Sequence, residues 1–179
     1  MSSVSPSHRA TPAPRPGTPM VVARVGRWWL AIPASQLRAV ARVGALTALP
    51  GAAGWMRGLA RADDTAVAVT DLVALATGRP AEMEDTARLL VVGDGTALLV
   101  EEVDGPAPSH APESDLAEPP PGLPDGLRGR VRCAAREAWW LEPGTLLATP
   151  ELDDAFAAEG GVRRPPTPTM SGSPRVDLP

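Results

Sequence analysis

The sequence contains no lysine, no asparagine and no tyrosine, and Ile32 is its only isoleucine. Codons for these residues are rich in A and T, so the bias reflects a high-GC coding sequence, not a function. Ala and Val are therefore expected where relatives carry Ile or Lys. Positive charge rests on arginine alone, and the net charge is −4. Nucleic-acid binding needs concentrated positive charge to displace counterions, so the acidic total argues against that class. Cys133 is the only cysteine, which excludes an internal disulfide and fits a small buried side chain in a reducing cytoplasm. No run approaches the ~18 apolar residues that span a bilayer, and the N-terminus lacks the apolar stretch of a signal peptide. The expectation is a soluble, cytoplasmic protein without membrane insertion.

The usual signs of catalysis are missing as well. His8 and His110 lie in Pro-rich surroundings that offer no second group to orient an imidazole. There is no Cys cluster and no Ser in a tight elbow; "VGDGTA" lacks both the Lys and the following helix of a phosphate loop. Asp63 and Asp64 are an adjacent acidic pair between two strand-like stretches, and Glu101–Glu102 lie in another hairpin. Neighbouring strand residues point to opposite faces, and a Mg²⁺ or Ca²⁺ site needs further oxygen ligands nearby. A solvated turn or a surface contact is the better reading. No enzyme activity, metal or cofactor is expected.

What remains is one domain between polar ends. Residues 1–19 and 156–179 are rich in Pro and Ser/Thr and read as disordered tails; residues 20–155 suffice for a single core. "MVVARV" and "WWLAIP" read as strands around a Gly-Arg turn, the second ended by Pro33. In "ASQLRAVAR", Leu37 and Val40 stand at helical spacing over a stretch too short for a long helix. "GWMRGLARA" and "TAVAVTDL" are strands around Asp63–Asp64. "DLVALATG" follows as one or two helical turns, with Asp71 capping the start and Gly78 the end. "RLLVV" and "TALLVEEV" form the clearest hairpin, turned at Asp94–Gly95. Residues 105–124, with seven prolines, are expected to form a loop. "GLRGRVRCAA" and "AWWLEP" make a last strand pair, and "PELDDAFAAEG" a terminal helix. Strands at this spacing with only short helices imply a small all-β barrel fold. "WWLAIP" and "WWLEP" echo each other, but two matches this short do not establish a repeat.

At three places the pattern resembles the CheW-like domains, the chemotaxis coupling proteins. In "ALTALPGAAGWMRGLARADDTAVAVTDLVALATG", Pro50, Gly51, Gly58, Val69, Asp71 and Leu72 fall on the family's Pro-Gly, Gly and Val-x-Asp-Leu positions. In "RLLVVGDGTALLVEEVDG", Leu98, Val100 and Val103 match a hairpin motif in which Glu101 replaces Asp. In "LRGRVRCAAREAWWLEPGTLLA", Gly129, Leu141, Leu146 and Leu147 match, and Glu142 replaces Asp. The resemblance implies two small five-stranded SH3-like β-barrels packed together, without catalytic residues. It implies a scaffold joining the regulatory domain of a CheA-type histidine kinase to chemoreceptor cytoplasmic tips, in chemotaxis or in twitching motility. Within each of the Trp28–Trp29 and Trp139–Trp140 pairs, one ring is then expected in the core and the other outward or between the barrels.

The departures from the family concern the receptor side. Asp63–Asp64 stand where the family has Arg-Gly, Ala39 where it commonly has Glu, and Ala68 where Pro is usual. Typical members pair that Glu with that Arg beside the receptor groove; here both partners are gone together, which avoids stranding one charge. Partner-binding positions implied by the resemblance are Leu37, Ala39, Val40, Gly58, Asp63, Leu99 and Val100. Arg38, Arg42, Arg57 and Arg61 lie close by in sequence. An alternative function is a stand-alone β-barrel module binding an anionic ligand or nucleic acid. It would use Arg128, Arg130 and Arg132, which alternate onto one strand face, with Val131 and Cys133 inward.

Overall fold

A computed structural model describes residues 14–93, 95–110, 119–121, 123–124 and 126–147. The expected terminal helix and most of both expected tails lie outside these residues. Eleven strands and two short helices make up the described chain: β1 (Pro19–Val25), β2 (Trp28–Pro33), β3 (Ala39–Arg42), β4 (Leu46–Thr47), β5 (Met56–Ala62), β6 (Thr65–Asp71), α1 (Leu72–Thr77), β7 (Arg88–Val92), β8 (Thr96–Val100), β9 (Glu102–Pro108), β10 (Leu127–Cys133), β11 (Arg136–Leu141) and α2 (Pro143–Leu147).

The strands form a five-stranded sheet in the order β10-β11-β2-β1-β9 and a six-stranded sheet in the order β3-β7-β8-β6-β5-β4. Pairing is antiparallel except between β11 and β2 and between β6 and β8. The second sheet is one strand larger than expected because of the two-residue β4, which pairs Leu46 with Ala60 and Thr47 with Leu59.

Side-chain alternation along the first sheet builds two cores. Val21, Ala23, Val25, Leu30 and Ile32 face the second sheet and join Val67, Val69, Leu89, Leu98 and Leu99 in the larger core. Met20, Val22, Ala31, Val131, Cys133, Ala138 and Trp140 face the other way and fill the smaller one. Each tryptophan pair is split by this alternation. Trp28 and Trp139 pack on the larger core, whereas Trp29 and Trp140 belong to the smaller. The echoed segments are parallel neighbours, with Trp139 opposite Leu30 and Trp140 opposite Ala31. Each leads through a proline into a short helical turn, Ala34–Gln36 in one case and α2 in the other.

Helix α1 has the expected caps. The Asp71 carboxylate accepts from the Ala74 amide at 2.9 Å, and Gly78 takes a left-handed conformation at the C-terminus. Three expectations need correction. Leu37 and Val40 are not on a helix: a single 3-10 turn ends before Leu37, and Val40 pairs with Leu90 in the β3–β7 ladder. The ladder bonds outweigh a helical spacing that spans one turn. Residues 105–108 are strand, not loop, because β9 is a sheet edge, where Pro106 and Pro108 need not donate to a further strand. Residues 14–18 are pinned to the end of β9: Gly17 N–H donates to the Ser109 carbonyl at 2.7 Å, and Ser109 N–H to that of Thr18 at 2.9 Å.

Candidate functional site

The acidic pair is a turn. Ala62 pairs with Thr65, leaving Asp63 and Asp64 as a two-residue loop, and Asp63 has a φ of 52°. Asp and Asn tolerate this left-handed region better than most residues. The Asp64 side chain is 98% exposed and pairs with Arg61 at 3.0 Å, while Arg61 Nε donates to the Asp63 carbonyl. Among the described residues no group of three or more His, Cys, Asp or Glu is arranged to hold a metal ion.

Asp71 is the fully buried acid of the same region. Besides capping α1, its carboxylate accepts from the Ala81 amide at 2.8 Å, and Arg57 Nη1 stands 3.6 Å away. The register shift between Met56 and Gly58 places a bulge at Arg57. A bulge re-aims one side chain out of the strand alternation, and this one brings Arg57 to Asp71. Of the four arginines near the acidic turn, Arg57 pairs with Asp71 and Arg61 with Asp64; the side chains of Arg38, just before β3, and Arg42, at its end, are exposed.

The positions implied by the resemblance separate into three kinds. Val40, 44% exposed, and the partly exposed Leu37 and Ala39 present side chains along the second sheet's β3 edge. Asp63 is exposed at the β5–β6 turn. Leu99 and Val100 have no exposed surface, so as partner-contacting residues they are corrected: β8 lies between β7 and β6, and both its faces are covered. A signal for this was present, since "ALLV" beside "RLLVV" is a continuous apolar run, the mark of a strand buried on two sides. Gly58 is buried too. A Cβ there would sit 2.0 Å from the Thr47 carbonyl oxygen, so this position lets β4 approach β5.

The arginine stripe is not a free basic face. Arg128 lies at the β10 bulge and pairs with Glu142 at 2.8 Å, donating also to Thr145 Oγ1. Arg130 and Arg132 do face outward, and both pair with Glu137 of β11. Val131 and Cys133 point inward, as expected, and burial pushes the Cys133 thiol up from its ordinary pKa.

Two clefts flank the first sheet. One, of about 360 Å³, lies where the two helical turns meet the β7–β8 turn; it is lined by Gln36, Val92, Gly93, Pro143 and Leu147. The other, of about 560 Å³, opens where β9 and the β10–β11 hairpin diverge, over Val22 and Cys133. These edges meet at Ser109 and Cys133, and the Arg136–Asp104 pair at 2.9 Å crosses beside the opening.

Sequence reasoning placed the β1–β2 turn at Gly26–Arg27 but missed the contacts made there. There Glu101 accepts from the Gly26 amide at 2.8 Å and pairs with Arg24 at 3.4 Å. Arg27 stacks on Trp28 with its guanidinium carbon 4.6 Å from the ring centre. The adjacent Arg27–Trp28 dipeptide at a hairpin tip was the available signal.

The family model for the CheW-like domain matches residues 19–149. Among solved structures, the scaffolding protein TtCheW from Thermoanaerobacter tengcongensis is similar, with a TM-score of 0.62 and 16% sequence identity. That match covers 76% of this chain and 95% of the other. No curated protein matches the chain.

Proposed function

This chain belongs to the CheW-like domain family, and on that premise we propose that it is a non-catalytic cytoplasmic scaffold. It joins a CheA-type histidine kinase to chemoreceptor tips in chemotaxis or twitching motility. The observation that carries the reading is the extent of the family match, which takes in both sheets and all eleven strands. Gly58 and Asp71, two of the motif positions, have clear structural work in this fold: one admits β4, the other caps α1.

Bridging needs surfaces rather than reactive groups. The kinase contact is assigned to barrel-edge strands, whose backbone groups invite pairing. The receptor contact is assigned to Leu37, Ala39, Val40 and Asp63, with Gly58 shaping the strand behind them. Leu99 and Val100 support that surface from the core. The change from Arg-Gly to Asp63–Asp64 reverses the charge of the turn, and Ala39 removes its counterpart. Receptor binding is therefore weaker than in a typical member, while kinase binding is kept.

The test is a binding assay of the full chain against the kinase regulatory domain and the receptor tip, in wild type and Asp63→Arg/Asp64→Gly. Kinase binding in both forms, with receptor binding strengthened by the double change, supports the proposal. If neither partner binds either form, the scaffold reading is wrong.

A further inference from the structure

Three tryptophans of the first sheet carry an arginine on the ring face. Arg136 lies 3.9 Å from the centre of Trp29, Arg27 4.6 Å from Trp28, and Arg130 5.7 Å from Trp139. In two of these stacks the guanidinium is also answered by a carboxylate on another strand or across the hairpin: Asp104 of β9 holds Arg136, and Glu137 of β11 holds Arg130. The third stack is incomplete. Among the described residues, no carboxylate pairs with Arg27. Glu101 accepts from the neighbouring Gly26 N–H and pairs with Arg24; Glu102 pairs with Arg24 as well, at 3.1 Å.

Arg27 stands exposed at the tip of the β1–β2 hairpin, and Trp28 beneath it is half-buried. A guanidinium lying on an aromatic ring keeps its N–H fork available at its edge, and that fork matches a carboxylate in two-point geometry. An isolated exposed Arg–carboxylate pair contributes little. The pair strengthens when a protein surface covers the ring and removes water, and Trp with Arg is the composition found at energetic centres of interfaces.

We propose that the Arg27–Trp28 tip docks an Asp or Glu side chain on the surface of a partner protein, completing the third Trp–Arg–carboxylate stack. The inference rests on the scaffold reading above and adds a contact of stated chemistry to it.

The experiment uses the full chain and measures affinity for the kinase regulatory domain and for the receptor tip, at low and at moderate salt. Arg27→Glu is expected to weaken binding to one of the two by about tenfold or more. Arg27→Lys, which keeps the charge but not the flat fork, recovers only part of the loss, and wild-type binding falls more steeply with salt than that of Arg27→Ala. Thermal melting checks that the variants fold; Arg27 is exposed, so an unchanged melting temperature is expected. If Arg27→Glu binds both partners as tightly as wild type, the docking tip is refuted and the scaffold reading stands. If wild type binds neither, both fall together.

Discussion

Replacing Gly58 by alanine tests whether β4 is held against β5 by the absence of a side chain. The added Cβ would meet backbone on every side: the Thr47 oxygen at 2.0 Å, the Thr47 carbonyl carbon at 2.8 Å and the Ala48 Cα at 3.0 Å. No rotamer relieves these contacts, so the chain at Thr47 must retreat by about 1.5 Å to reach ordinary packing distance. Gly58 also has a φ of 114°, a conformation that costs an L-residue roughly 1–2 kcal/mol. Retreat of β4 breaks the short Leu46–Ala60 and Thr47–Leu59 ladder. Two weakened backbone bonds contribute about 1–2 kcal/mol more, and partial exposure of Leu46 about 1. The sum is about 3–5 kcal/mol, near the upper end for a single substitution. Urea and thermal unfolding followed by circular dichroism would read it, with Gly54→Ala as control, since a Cβ at Gly54 meets nothing within 4 Å. A Gly58→Ala protein within about 1 kcal/mol of wild type, below that sum, would refute the close approach. It would also return Gly58 to the set of direct partner contacts. Otherwise any binding loss at this position has to be corrected for loss of folded protein.

Three further outcomes follow from features already described. Asp71→Ala removes a cap and leaves the Ala74 and Ala81 amides unbonded, for a loss of about 3 kcal/mol in urea unfolding; Asp71→Asn, with one acceptor oxygen instead of two, falls between it and wild type. Ala134 has a φ of 51° in the β10–β11 turn, so Ala134→Gly is expected to stabilise by about 0.5–1 kcal/mol in the same assay. Burial raises the Cys133 pKa in the folded state. Its contribution is therefore complete below the unfolded thiol's value of about 8.5 and is lost as pH rises through the folded one, with a slope of up to about 1.4 kcal/mol per pH unit. With no Tyr or Lys in the chain, Cys133→Ala should flatten stability above about pH 8.5; an unchanged slope would rule out the buried thiol as its source.

Much of the fold was legible because local signals agreed with the final packing. α1 is the best instance: Asp71 and Gly78 stand at its two ends in sequence, and both caps form. β7 and β8 were legible for the same reason, with turn glycines between two apolar runs. Legibility failed where a distant partner decides the outcome. β3 exists because Ala39–Arg42 pair with β7, which nothing within "QLRAVAR" encodes. β9 tolerates two prolines because of where it lies in the sheet order, and that order comes from pairing with β1, far away in sequence. The candidate surface shows the same division. Val40 and Asp63 are exposed, but Leu99 and Val100 are covered on both sides, as the continuous apolar run around them indicates and the family motif alone does not. The Arg27–Trp28 tip escaped notice because only the other two stacks reveal what it lacks.

The order of the strands along the chain also dictates an order of assembly. The six-stranded sheet draws on one continuous stretch, from Ala39 to Val100, whereas the five-stranded sheet sets Leu30 opposite Trp139 and Pro19 opposite Pro108. Contacts between residues so far apart carry the largest loop-closure penalty and form slowly. As the chain is synthesised, the second sheet can be complete while β2 still waits for its parallel neighbour. A chain stopped short of Arg136 would keep that second sheet. It would leave β2 with a bare edge and two aromatic rings without their counterparts, a template for pairing with the wrong strand.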